Sequence, residues 1–389
     1  MWPEVSLDHL GYVSRGRSRH RPRNDPSLYD GPYPFIQTAE VKAANLRICS
    51  HSQTYSEKGF EQSRLWPENT LCITIAANIA DTALLSYPAC FPDSIIGFVA
   101  DESKCDVRYV KYYFNIVQEH MRMVSHGATQ DNLSQDKLLR FGIPCPPLET
   151  QHAISETLAA YDDLIEINRC RIDLLEESAR LLYREWFVNL RFPSYETAKF
   201  KDGLPEGWAK MALSDLAFIV MGQSPESKFY NNEGEGLPFH QGVSDFGDHI
   251  VSHKTYTTQA TRIAEAGDIL CSVRAPVGRL NLTCDKVAIG RGLSAMRSRA
   301  GHQSLLLYQL KALFVEEDMI GGGTIFASVT KKELYAQQLL QPDFEIAAEF
   351  NRLASEVDEQ IETLVKQNRL LVETRDSLLP KLMSGEIQV

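Results

Sequence analysis

No apolar run in this 389-residue chain approaches the ~20 residues of a membrane-crossing helix, so no membrane span is expected. The N-terminus has Pro3, Glu4 and Asp8 where a secretory signal would be basic and then apolar, which points to the cytoplasm. The eight cysteines (49, 72, 90, 105, 145, 170, 271 and 284) form no C-x-x-C pair and read as structural thiols of a reducing compartment. Gly321 to Gly323 lacks the Lys and Ser/Thr of a phosphate-binding loop and reads as a turn before Val329. An NPPY- or DPPY-like tetrapeptide and a Gly-rich cofactor turn after a strand are both missing, which argues against a self-sufficient methyltransferase. His249 and His253 have helical ligand spacing without a helix or a third ligand, so neither metal nor cofactor is expected.

An excess of positive charge is missing as well: the formal net charge is −11. Divided by segment, that figure loses its force against nucleic-acid binding. Residues 1–148 and 196–340 each hold 15 Lys+Arg against 16 Asp+Glu, whereas 149–195 holds 5 against 9 and 341–389 holds 5 against 10. Near-neutral outer segments leave room for local basic faces, and the acidic ones would repel DNA and favour a basic protein partner.

What the chain does have is two copies of one plan. From Gly127 to Leu182 a segment recurs 196 residues downstream without a gap, matching Leu138, Pro146, Glu149, Asp162, Ile165, Glu166, Leu175, Glu177 and Leu182 to Leu334, Pro342, Glu345, Asp358, Ile361, Glu362, Leu371, Glu373 and Leu378. Weaker matches precede each copy, among them Leu7, Leu10, Gly16 and Ser18 with Leu213, Leu216, Gly222 and Ser224, and Pro34 and Phe35 with Pro238 and Phe239. So long a period indicates a duplicated domain, since solenoid units run to about 20–50 residues.

Within the constant segments, Ile154, Leu158, Tyr161, Ile165, Asn168, Ile172, Leu175, Ala179 and Leu182 alternate steps of four and three, a heptad seam over Gln151 to Leu190. The second copy reads Phe350, Ala354, Val357, Ile361, Leu364, Asn368, Leu371, Arg375 and Leu378 and is expected to stop near Pro380 and Gly385. In an antiparallel pair with Asn168 facing Asn368, paired residue numbers sum to 536, which sets Leu158 against Leu378, Ile165 against Leu371, Ile172 against Leu364 and Leu175 against Ile361. The outer segments are expected to be mixed α+β lobes with short buried strands at Leu71 to Ile75, Ser94 to Val99, Asp268 to Val273 and Lys286 to Ile289, helices at Val107 to Val124 and Leu305 to Val315, and a polar linker at Glu196 to Pro205.

Several stretches carry a family likeness: Leu174 to Phe192 (LLEESARLLYREWFVNLRF), Gly222 to Gly242 (GQSPESKFYNNEGEGLPFHQG), Ala266 to Leu280 (AGDILCSVRAPVGRL), Ala288 to Leu293 (AIGRGL) and Pro88 to Phe98 (PACFPDSIIGF). Over its whole length the chain resembles the specificity subunit of type I restriction-modification systems. The resemblance implies an α+β chain of two tandem target-recognition domains, 1–145 and 196–340, each followed by a conserved helical segment, 146–195 and 341–389, the two helices pairing as an antiparallel coiled coil. It implies a non-catalytic reader of a bipartite double-stranded DNA target. Two modification (methyltransferase) subunits would dock around the helices and restriction subunits would join through them, so that only the whole complex methylates and cuts.

Arg15, Arg17, Arg19, Arg21 and Arg23 alternate in a mobile-looking segment able to follow phosphates, Arg17, Arg19 and Arg21 being the candidates there, with Gln37 further along the first lobe. In the second lobe Gln223, Ser224, Lys228, Tyr230, His240 and Gln241 sit in or beside a Gly-rich loop, and Arg274, Arg279 and Arg291 follow strand-like runs. Amide and guanidinium groups read adenine and guanine edges, although each of these residues also suits ordinary turn or strand-edge chemistry. Pro92, Asp93, Glu102 and Lys104 imitate a PD…ExK nuclease and make a stand-alone metal-dependent nuclease the rival reading; a coiled-coil DNA-binding regulator is a third.

Overall fold

The structure, a computed structural model, describes residues 2–20, 22–76, 79–126, 133–247, 249–320 and 328–389, with side chains described except at 124–126 and 315–320. It divides into two compact units, Met1–Glu166 with Arg369–Val389, and Ile167–Asn368, so each unit takes one lobe and a share of both long helices. Arg21 and the Gly321 to Gly323 turn lie outside the described residues, as does the start of the repeat at Gly127 and Gly323.

In the first unit a five-stranded sheet runs in the order Gly11–Arg15, Ile95–Ala100, Leu71–Thr74, Thr82–Leu85, Arg47–Ile48, antiparallel except for the last pair. Leu71–Thr74 is buried at every position because its successive side chains enter different cores. Leu71 and Ile73 join Phe98 and the helix Val107–His126 through Tyr109, Val110 and Tyr112, while Cys72 joins Trp66, Ala83, Leu85 and Phe91 on the other face.

The second unit repeats this with Ala217–Met221, Leu293–Ser298, Ile269–Ser272 and Leu280–Leu282, all antiparallel. Ile269, Cys271 and Met296 pack on the helix Gln303–Ile320 through Leu306, Leu307 and Leu310, and Leu270, Leu293 and Ala295 pack on the far side with Val287 and Ile289. The expected polar linker holds a small hairpin, Phe200–Lys201 with Leu204–Pro205. Its turn puts Asp202 and Gly203 at φ 53° and 81°, the left-handed pair that an Asp-Gly turn supplies.

The first long helix, Leu148–Tyr183, continues as a five-residue π-helical segment, Arg184–Val188; the second spans Phe344–Ser384. Pro380 does not end the second helix. Its last turn is held by buried Leu379, Leu382 and Met383, and the helix stops at Gly385, whose φ of 76° turns the chain away. Within the second unit Asn168 Nδ2 donates to Asn368 Oδ1 at 2.9 Å, and Ile172, Ile361 and Leu364 form one cluster against Leu175. Partner numbers fall as residue numbers rise, so the helices pair antiparallel. Within the first unit Ile154 and Leu158 share a core with Leu378, Leu379 and Leu382; Ile165 is buried and Leu371 half-buried.

Among the described residues no helix is long and apolar enough to cross a membrane. All eight cysteines are free, but Cys49 and Cys170 are exposed, which corrects the uniform reading of the set as buried structural thiols.

Candidate nucleic-acid interface

After the strand Gly11–Arg15 the chain stays extended, and exposure alternates: Arg15, Arg17 and Arg19 are exposed, Gly16 and Ser18 buried. Backbone bonds from Gly16 N to Ile95 O (2.9 Å) and from Arg17 N to Phe91 O (3.0 Å) fix the segment, and Ser63 Oγ donates to Arg17 O at 3.0 Å. This corrects the picture of a loose loop, because the arginines stand on a braced strand edge. Gly16 is required there, since a Cβ would lie 2.3 Å from Pro92 O. Neither Arg17 nor Arg19 has an ion-pair partner among the described residues. Gln37 caps the helix Thr38–Ala43 and its Nε2 donates to Gln53 Oε1 at 2.6 Å.

The second lobe builds the same platform. Gly222 N donates to Leu293 O and Gln223 N to Ile289 O, both at 2.9 Å, and a Cβ on Gly222 would lie 2.1 Å from Gly290 O. Around it Arg291 N donates to Ser224 Oγ (3.2 Å), Gly292 N to Gln241 O (3.2 Å) and Thr261 Oγ1 to Gln223 O (2.6 Å). Gln223, Ser224, Gln241 and Arg291 are therefore brought together, with three of them exposed and Ser224 half-buried. Arg274 and Arg279 stand exposed on the turn that follows the strand Ile269–Ser272.

Three other candidates are placed differently. His240 has no exposed surface: it lies between Asp245 Oδ2 (3.2 Å) and His253 Nδ1 (3.1 Å), with His253 Nε2 3.0 Å from Asp285, and burial lowers its pKa. It cannot touch a base from there. Tyr230 packs against Phe239 with the rings tilted and their centroids 4.7 Å apart, and it donates to Pro225 O, which makes it a brace for the loop. Lys228 is exposed and pairs with Glu226 at 2.6 Å, a surface contact open to solvent.

Nothing in the structure supports the nuclease imitation. Asp93 accepts from Arg23, Lys104 pairs with Asp101 at 2.9 Å, and Glu102 is exposed. No group of three His, Cys, Asp or Glu able to hold a metal occurs among the described residues.

Sequence reasoning missed the anchors that fasten each lobe to the helices. In the first unit buried Asp162 pairs with Arg375 and accepts from Tyr112 Oη (2.6 Å) and Asn45 Nδ2 (2.8 Å). In the second, Tyr308 Oη donates to Asp358 at 3.0 Å, while Glu176 binds Lys311 and His249. Burial works against the charge on Glu176, yet hydrogen bonds from His249 and Lys311 hold its pKa at about 2. Asp162 and Asp358 were visible as a repeat pair, and Tyr112 and Tyr308 share the same spacing of 196.

The comparisons with known proteins agree with this architecture. Residues 2–177 match the family model described as the type I restriction modification DNA specificity domain. The chain is 30% identical over 290 residues to a Methanocaldococcus jannaschii protein provisionally named the type I restriction enzyme MjaX specificity subunit, covering 72% of this chain and 68% of that one. It is 24% identical over 412 aligned positions to the MjaIX specificity subunit of the same organism, covering 100% and 94%. The crystal structure of a type I restriction-modification S subunit from M. genitalium superposes with a TM-score of 0.60 at 16% identity, over 98% of this chain and 96% of that one, which shows a common fold. With a duplicated α+β lobe, an antiparallel helix pair and this degree of identity, the chain belongs to the type I restriction enzyme specificity subunits.

Proposed function

We propose that residues 1–145 and 196–340 each read one half of a split double-stranded DNA target. Arg17, Arg19, Arg21 and Gln37 would serve the first half, and Gln223, Ser224, Gln241, Arg274, Arg279 and Arg291 the second. In this reading the segments 146–195 and 341–389 set the spacing and dock two modification subunits, restriction subunits join through those, and the assembly works in the cytoplasm. Membership of the family makes the chain the DNA-recognition subunit of its complex and not the catalyst.

The observation that carries the two-reader reading is the repetition of one backbone platform, Gly16 to Arg17 and Gly222 to Gln223, with unlike exposed side chains on each copy. A common frame with different readers suits two different half-sites. Docking is supported by Ile167, Leu174 and Leu181, which recur every seven residues on one helix face and are 55%, 71% and 37% exposed.

Methylation profiling of a host genome with and without the gene tests this. Loss of one split motif on deletion is expected, and an unchanged methylome would overturn it. Specific cutting by the purified chain with magnesium alone would restore the nuclease rival.

A further inference from the structure

The matched hydrogen bonds extend further than the sequence repeat. Gly16 N to Ile95 O corresponds to Gly222 N to Leu293 O, and Arg17 N to Phe91 O corresponds to Gln223 N to Ile289 O. Ile75 N to Ser94 O corresponds in the same way to Val273 N to Gly292 O. On both sides of the intervening turn the acceptors differ by 198 in number, which puts Asp93 at the place of Arg291. The second lobe thus projects an arginine beside its platform where the first lobe has a carboxylate.

That carboxylate is occupied. Arg23 Nη2 donates to Asp93 Oδ1 (2.9 Å) and Oδ2 (3.1 Å), and Tyr29 Oη donates to Arg23 O (2.7 Å), fixing the backbone from which the side chain springs. Because only Nη2 is engaged, Nε and Nη1 have no partner among the described residues, and the side chain remains 52% exposed. Cδ lies between Nε and Nη1, so these two donors form no fork of their own; a guanidinium held by Nη2 keeps its plane and leaves each of them free for a single hydrogen bond to a base edge such as guanine O6 or N7. As a surface ion pair it contributes little stability, so its use lies in orientation.

We propose that Arg23 is a specificity-determining reader of the first lobe, the counterpart of Arg291, and that Asp93 is its positioning residue. The inference rests on the reading that the first lobe binds one half-site.

The test is selection from a randomised DNA pool by the assembled complex of specificity and modification subunits. Arg23→Lys, which keeps the charge and removes the oriented planar donors, is expected to weaken the preference at one base pair of one half-site by about three- to tenfold and to leave the other half-site intact. Asp93→Asn is expected to weaken the same base pair without lowering overall affinity, because it removes a negative charge beside DNA. The double variant should be no worse than Arg23→Lys alone, since Asp93 acts through Arg23. An unchanged motif for Asp93→Asn, with affinity shifted equally for all sequences, would reduce Asp93 to a background charge and overturn the proposal. So would a wild-type motif for Arg23→Lys. If the wild-type complex selects no split motif, the two-reader reading itself fails, and this outcome is distinct from the other two.

Discussion

At the turn after the third strand of each sheet the two lobes share a backbone and part company in chemistry. Thr74 N bonds Asp81 O at 3.0 Å and Ser272 N bonds Arg279 O at 2.9 Å, so Asp81 and Arg279 hold the same place. Asp81 is buried and accepts from Arg122 and Gln118, each at 2.8 Å, whereas Arg279 is exposed together with Arg274. At the platform the contrast runs the other way. The first lobe exposes Arg15, Arg17 and Arg19, and the second exposes Gln223. Apart from Arg291, which stands beside the second platform, the candidate arginines of each lobe thus stand exposed on a different edge of a common frame. The frame is held by backbone bonds and apolar layers that are indifferent to the identity of outward side chains, so those positions are free to differ.

The anchors offer the largest effect by which to sharpen the comparison. Asp162→Ala takes from half-buried Arg375 its buried carboxylate partner, leaving only exposed Asp376, and is expected to cost about 3 kcal/mol in denaturant unfolding, the low end for a broken buried pair. Asp358→Ala, which removes the partner of a tyrosine hydroxyl, should cost only about 1–3 kcal/mol. Equal costs would break the distinction between an ion-paired aspartate in the first anchor and a hydrogen-bonded one in the second.

Salt dependence sharpens it next. Each phosphate contact contributes about 0.9 to the slope of log affinity against log salt. Arg17→Ala with Arg19→Ala, and separately Arg274→Ala with Arg279→Ala, should each flatten the slope by up to about 2. A slope that changes for one pair alone would assign phosphate contact to that lobe's edge and remove the other from the interface.

The smallest effect concerns acid. The folded pKa of Glu176 is about 2 against an ordinary 4.5, so its contribution is present above pH 4.5 and is lost as pH falls toward 2. After allowance for solvent screening, stability should fall by about 1–2 kcal/mol more in the wild type than in Glu176→Gln between pH 6 and pH 3. Parallel pH profiles would remove the His249 and Lys311 anchor.

The helices were the most legible part of the sequence, because a heptad spacing and a buried amide pair need only residue types at fixed intervals. Asn168 and Asn368 follow from that pattern alone. The paired strands were legible as short apolar runs, and Gly290 and Arg291 could be matched by place to Pro92 and Asp93, but the shared backbone bonds could not: Phe91 to Phe98 and Ile289 to Met296 repeat those bonds without shared residues, since a buried strand asks only for apolar bulk. Burial of His240 was hidden for the opposite reason, as a histidine in a Gly-rich loop looks exposed until Asp245 and His253 are seen to fold over it. The Arg23 and Asp93 contact spans 70 residues, and no local spacing announces it.

The central claim is that each lobe is an independent reader, and exchange of one lobe tests it most directly. Residues 1–145 would be replaced by the corresponding lobe of another specificity subunit and the methylated motif determined again. One half-site should change, with the other half and the spacing retained; a change in both halves together would contradict the account.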